Sequence, residues 1–247
     1  MALSADRAVL RDRAGRLPGL YQPCGTSASC VVCRGPLRPG YSRCYQCAQH
    51  QLLGEGLLAD AVAPIAYAVR GTAFAIALGR YKSGDRHAAQ SLLALLLVFL
   101  GDHGPCIWRQ AGMAEPRRLA IVPSGCGRPG PHPLARMAAP YLGLPLVPLA
   151  IRHGEQGRDL NADRFVSRPA DGADVLLLDD TWVSGASAQS ASVSLKRAGA
   201  ARVAVVVLGR HLNPAEPRSP ALATEPFEPG ICVFHQRHPG NITPSTH

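Results

Sequence analysis

Apolar residues gather in short, nearly unbroken runs, and between them lie stretches of helical spacing. AVAPIAYAVR (residues 61–70), DVLLLDD (174–180) and ARVAVVVLGR (201–210) carry no regular polar alternate. That pattern predicts strands covered on both faces, as in a parallel sheet. LAIV (119–122) is a shorter buried strand that leads into a loop rich in Gly and Pro, and LPLVPLAI (144–151) is a strand that its prolines mark as edge-like. Helical spacing covers TAFAIALGRYK after Gly71, a segment from about Arg86 to Leu100 behind a Gly84-Asp85 turn, and ARMAAPYLG, interrupted by Pro140. A last helix runs from Ser187 to Ala198 and is closed by Gly199. Strand and helix in alternation predict an α/β fold, a parallel sheet with helices on both faces. RHGEQGRDLNADRF (152–165) reads as a mobile loop with some helix. The Pro-, Glu- and Ser-rich tail from Leu212 reads as loosely packed, with one short strand at ICVFH (231–235).

Composition narrows this picture. Of 247 residues, 47% are hydrophobic and 17% charged, enough for one sizeable core with a small appendage. The net charge of +9 suits phosphate-bearing partners, whether nucleic acid or phosphorylated metabolites, or is carried by arginines that only solvate the surface. The start, MALSADRAVLRDRAGRL, has no uninterrupted apolar stretch, and the longest apolar run, LLALLLVFL (92–100), is well short of the ~20 residues that span a bilayer. A cytoplasmic protein with no membrane span and with reduced cysteines is therefore expected.

Four of the eight cysteines form two knuckles, Cys30-Val-Val-Cys33 and Cys44-Tyr-Gln-Cys47, separated by ten residues. Doubled knuckles at short range place four thiolates around one structural zinc ion. A redox pair or buried thiols are the alternatives, and Cys24 stands close enough to compete as a ligand. Cys106, Cys126 and Cys232 are scattered, and His87, His103 and His153 lack metal spacing.

The chemistry concentrates in VLLLDDTWVSGAS (175–187). In a parallel sheet, ligands sit outside the carboxyl ends of the strands. VLLL fills the core, so Asp179 and Asp180 emerge there, where paired carboxylates can hold a sugar diol or a hydrated magnesium ion. Acids at such a point also simply cap a turn. Behind them Val183, Ser184, Gly185, Ala186 and Ser187 form a turn into a helix, with free N–H groups, hydroxyls and a helix dipole suited to a phosphate. A ribose 5-phosphate matches both halves. No G-x-G-x-x-G follows a strand, and no GKS or GKT occurs, which disfavours a dinucleotide fold and a P-loop.

These thirteen residues resemble the phosphoribosyl pyrophosphate (PRPP) motif of type I phosphoribosyltransferases, with Ser184 and Ser187 where threonines are usual and Trp182 as an unusual member. The doubled knuckle, RYKSGD with Tyr81, Lys82, Gly84 and Asp85, and a segment with Arg152, Gln156, Leu160 and Arg164 extend the resemblance to the ComF-type phosphoribosyltransferase-like family. It covers about residues 24 to 210. The resemblance implies a zinc ribbon (about 24–50) within an N-terminal segment 1–60, a phosphoribosyltransferase-like domain at 61–211, and a Pro-rich tail at 212–247.

It also implies a pyrophosphate-binding loop after LAIV. Here that loop reads SGCGRPG, a departure from the family pattern, with Ser124, Gly125, Cys126, Gly127 and Arg128, and with His132 adding charge. Lys82 is either functional or a solvated lysine. Arg152, Arg158 and Arg164 either clamp a diphosphate or are solvated. Three functions follow: a transferase moving phosphoribosyl from PRPP, with magnesium, to a nitrogen acceptor; a PRPP or nucleotide sensor without turnover; and an accessory protein of DNA uptake that contacts single-stranded DNA or competence proteins.

Overall fold

The computed structural model describes residues 7–23, 25–54, 56–124, 132–152, 159–231 and 233–234. Its centre is a four-stranded sheet of β1 (Ala61–Val69), β2 (Arg118–Ile121), β5 (Asp174–Trp182) and β6 (Arg202–Leu212), in the order β1-β6-β5-β2 and all parallel. The apolar runs are strands because both of their faces are covered. Leu176 and Leu178 of β5 and Ala204 and Val206 of β6 pack on one side with helices α1 (Arg7–Gly15), α3 (Ala73–Arg80), α4 (Arg86–Ala111) and α5 (Pro133–Leu142). The intervening Val175, Leu177, Val203 and Val205 pack on the other side with α6 (Ala186–Arg197) and the cysteine module. The α/β class expected from the pattern is the one observed.

Thr72 caps α3 by accepting from Ala75 N–H, and Asp85 caps α4 by accepting from Ala88 N–H. Helix α4 runs to Ala111, past the expected end at Leu100. Gly101, Gly104 and Pro105 weaken the intrinsic helix there, but Cys106, Ile107, Trp108 and Ala111 are buried, and that packing outweighs propensity. Arg7 and Arg11 of α1 bridge to Asp102 of α4 at 2.7 and 3.0 Å. By length and composition α4 matches a membrane span, yet 72% of its apolar window is buried inside the protein.

Two expectations are corrected. Of residues 144–151 only Leu149–Ile151 forms a strand (β3), and it pairs antiparallel with β4 (Phe165–Ser167) outside the main sheet. Pro145 and Pro148 have no N–H to extend a ladder, so the main sheet keeps a single bridge from Leu146 to Leu119, made by Leu119 N–H to Pro145 O and Val147 N–H to Leu119 O. The described part of the tail is packed rather than loose: Leu222 is buried against Tyr67 and Leu212, and Glu225 O accepts from Gln22 N–H. Val233 and Phe234 lie in a turn, while Cys232 and His235 lie outside the described residues.

Candidate functional site

The carboxyl ends of all four main strands open into one cleft of about 820 Å³. β1 contributes Ala68, the end of β2 leads to Ser124, β5 brings Asp179, Asp180 and Thr181, and β6 brings His211. Val183, Ser184, Gly185, Ala186 and Ser187 line the same cleft at the start of α6. Gly125, Cys126, Gly127 and Arg128 lie outside the described residues, as do Cys24, His153, Gln156 and Arg158.

The two acids differ in their surroundings. Asp180 is buried, and both of its oxygens are engaged: Tyr81 Oη donates to Oδ2 at 2.6 Å and Lys82 Nζ to Oδ1 at 2.8 Å. His132 Nδ1 accepts from Leu134 N–H at the cap of α5, which leaves its Nε2 facing Asp180 Oδ2 at 3.6 Å. Asp179 is half-buried, lines the cleft, and is the more exposed of the two residues. Burial, reinforced by the Asp180 charge, pushes its pKa up to about 8.

A carboxyl raised in the folded state contributes stability that is complete below the unfolded value of 3.8 and is lost as pH climbs through about 8. Asp179→Asn is therefore expected to melt higher than the wild type, by a margin that widens from pH 5 to about pH 8 and then levels. Melting curves across that range check this, and a pH-independent margin would contradict it.

The loop after the acids is shaped from beneath. Trp182 is buried under it, and Gly185 turns with φ +85°, where a side chain is strained. A Cβ on Gly185 would stand 2.1 Å from the Trp182 ring. The first helical bond of α6 is Gln189 N–H to Gly185 O, so the preceding N–H groups point out of the helix end toward the cleft. Ser184 Oγ accepts from Ala186 N–H at 3.3 Å. Arg164, buried, donates from Nη1 to Ser187 Oγ at 3.2 Å and from Nη2 to Asp159 O at 2.8 Å. Arg164 thus braces the loop, and the Ser187 hydroxyl keeps its own proton to donate.

The cysteine module lies on the α6 face. The first knuckle closes with Cys30 N–H to Gly35 O at 2.8 Å, and Cys44 stands at the N-cap of α2 (Tyr45–Leu53), with Cys47 one turn on. The Sγ atoms of Cys30, Cys33, Cys44 and Cys47 all lie within 4.8 Å of one another, and Cys33 and Cys44 are 3.8 Å apart. Zinc–sulfur bonds of about 2.3 Å at tetrahedral angles set an edge of about 3.8 Å, so the four thiols could hold a zinc ion. Hydrogen bonds among the four thiols pull Cys30 and Cys33 below the ordinary thiol range and push Cys44 and Cys47 above it, so the four sulfurs share their protons as one coupled group.

Three contributors escape a reading by motif. Gln46 of α2 lines the cleft, so the cysteine module forms part of its wall. His211 follows the last apolar run. Arg210 is buried beside it against Gly35 of the cysteine module, a position that simple alternation from Leu208, which packs with the α3 and α4 cluster, does not give.

No family model matches the chain, and no curated protein matches it. Among solved structures, adenine phosphoribosyltransferase from Rhodothermus marinus DSM 4252 is similar at 17% identity, over 62% of this chain and 96% of that one, with a TM-score of 0.29.

Proposed function

We propose that the cleft binds PRPP, or a ribose 5-phosphate group, and transfers phosphoribosyl to a nitrogen acceptor with release of pyrophosphate. One observation carries the reading: the acid pair and the turn into α6 line a single cleft, with the more exposed acid and the helix N-terminus on neighbouring positions of the chain. Asp179 takes the ribose diol. Asp180, held by Tyr81 and Lys82, fixes the backbone from which Asp179 projects, since Asp180 N–H donates to Asp179 Oδ1 at 2.8 Å. The N–H groups and hydroxyls from Ser184 to Ser187 take the 5-phosphate.

Magnesium arriving with PRPP would neutralise charge on the departing pyrophosphate. The chain's own part is positioning and electrostatics: Asp179 and Asp180 hold the sugar, and the Asp180 carboxylate, paired with Lys82, bears on the positive charge developing at the anomeric carbon. Ser124, Lys82 and His132 lie along the same cleft, where the pyrophosphate end would rest. The cysteine cluster is assigned a structural zinc ion, and the division at residues 60 and 211 follows the same reading.

Pyrophosphate release from PRPP and magnesium, assayed with candidate amines and nucleobases, tests the transfer. Release above the acceptor-free rate is expected. Binding of PRPP without release under any acceptor would make the chain a PRPP sensor instead.

A further inference from the structure

The cysteine module and the phosphate loop share one buried side chain. Arg210, at 7% exposure, projects from β6 between them. Its Nη1 donates to Trp182 O at 3.1 Å and to His211 O at 2.5 Å, so its hydrogen bonds among the described residues end on carbonyl oxygens. Nε is buried without a partner. On its other side the guanidinium packs against Gly35, close enough that a Cβ there would stand 2.0 Å from Nη2, 2.8 Å from Cζ and 2.9 Å from Nε. Gly35 closes the first knuckle through its carbonyl to Cys30 N–H, and the adjacent Arg34 O accepts from Tyr67 Oη at 2.7 Å. Trp182, the residue Arg210 grips, is the ring on which Gly185 turns.

A buried guanidinium that meets only carbonyl dipoles is costly unless a counter-charge lies near. Four thiolates around a zinc ion carry a net charge of about −2, and the Arg210 charge bears on Cys33. The contacts therefore run without a gap from the metal-binding knuckle through Gly35, Arg210 and Trp182 to Gly185.

We propose that Arg210 is a positioning residue that couples the cysteine centre to the phosphate loop, so that metal in the module raises the affinity of the cleft for a sugar phosphate. The statement about affinity rests on the ribose-phosphate reading of the cleft; the statement about the loop does not. Coupling is reciprocal: PRPP should slow loss of zinc to a chelator by the same factor by which zinc tightens PRPP.

The test uses the full chain with Trp108→Phe, which leaves Trp182 as the only one of the two tryptophans. Chelation of zinc is expected to red-shift Trp182 emission and to weaken PRPP binding, measured by calorimetry with magnesium, about fivefold or more. Gly35→Ala displaces the guanidinium from outside the cleft, at a position where φ suits alanine. It is expected to keep one zinc per chain, yet to show the same red shift and the same loss of affinity with zinc bound. Arg210→Lys, which keeps the charge and loses the fork, should do likewise and so guards against a fault peculiar to Gly35→Ala. Unchanged Trp182 emission in both zinc-loaded variants and in the chelated protein would overturn the coupling. Failure of the zinc-loaded parent to bind PRPP, with the emission shifts intact, would instead remove only the sugar-phosphate assignment.

Discussion

Replacing Asp179 and Asp180 together by asparagine is expected to abolish the thermal stabilisation that PRPP with magnesium gives the wild type. At a hundredfold excess over its dissociation constant a ligand stabilises the folded state by about 2.7 kcal/mol. For a chain of this size that corresponds to a rise in Tm of about 5–10 °C. The double variant should show a rise of about 1 °C or less. The quantity to compare is the ligand-induced shift, because the ligand-free variant sheds the half-buried, raised-pKa carboxyl of Asp179 and has a different starting Tm. The single variants should separate. Both oxygens of Asp180 are already engaged by Tyr81 and Lys82, so Asp179→Asn alone should remove most of the shift. Asp180→Asn leaves Lys82 without its carboxylate and should act mainly through unliganded stability. Equal ligand shifts in wild type and double variant would contradict the role given to the acids.

Gly185→Ala is expected to produce the second large effect from a single methyl group. A left-handed residue with a Cβ costs about 1–2 kcal/mol, and here the Cβ would also stand 2.1 Å from the indole of Trp182. The indole is buried and cannot swing aside without opening a cavity against β6 and α6. The turn must therefore move, and with it the N–H groups that face the cleft. The expected outcome is a loss of about 2–4 kcal/mol in unfolding free energy, combining strain with overpacking, and a loss of PRPP affinity of about tenfold or more. Denaturant titration and calorimetry measure the two. Retained affinity in a destabilised chain would show that the loop does not bind the phosphate.

The strands and the acids were legible because their causes are local. VLLL must be buried on both faces, so the next residues must leave the sheet at its carboxyl end, and they are Asp179 and Asp180. The two knuckles were legible because three-residue spacing brings paired thiols together whatever surrounds them. What was illegible depends on contacts between distant segments. Nothing around Gly35 announces that its missing Cβ makes room for Arg210, and nothing around Gln46 places it in the cleft. The resemblance drew attention to Tyr81 and Lys82, but their grip on Asp180 is a property of the packed α3 end against β5. The length of α4 was hidden by Gly104 and Pro105, whose poor propensity is overridden by the burial of Ile107 and Trp108.

The central claim is that the cleft at the end of β5 is a sugar-phosphate site. Calorimetric titration of the zinc-loaded wild type with PRPP and magnesium tests it most directly. Saturable binding at one site per chain, lost in the Asp179→Asn Asp180→Asn variant, is the predicted result. No saturable heat at millimolar PRPP, or binding of equal strength in that variant, would contradict it.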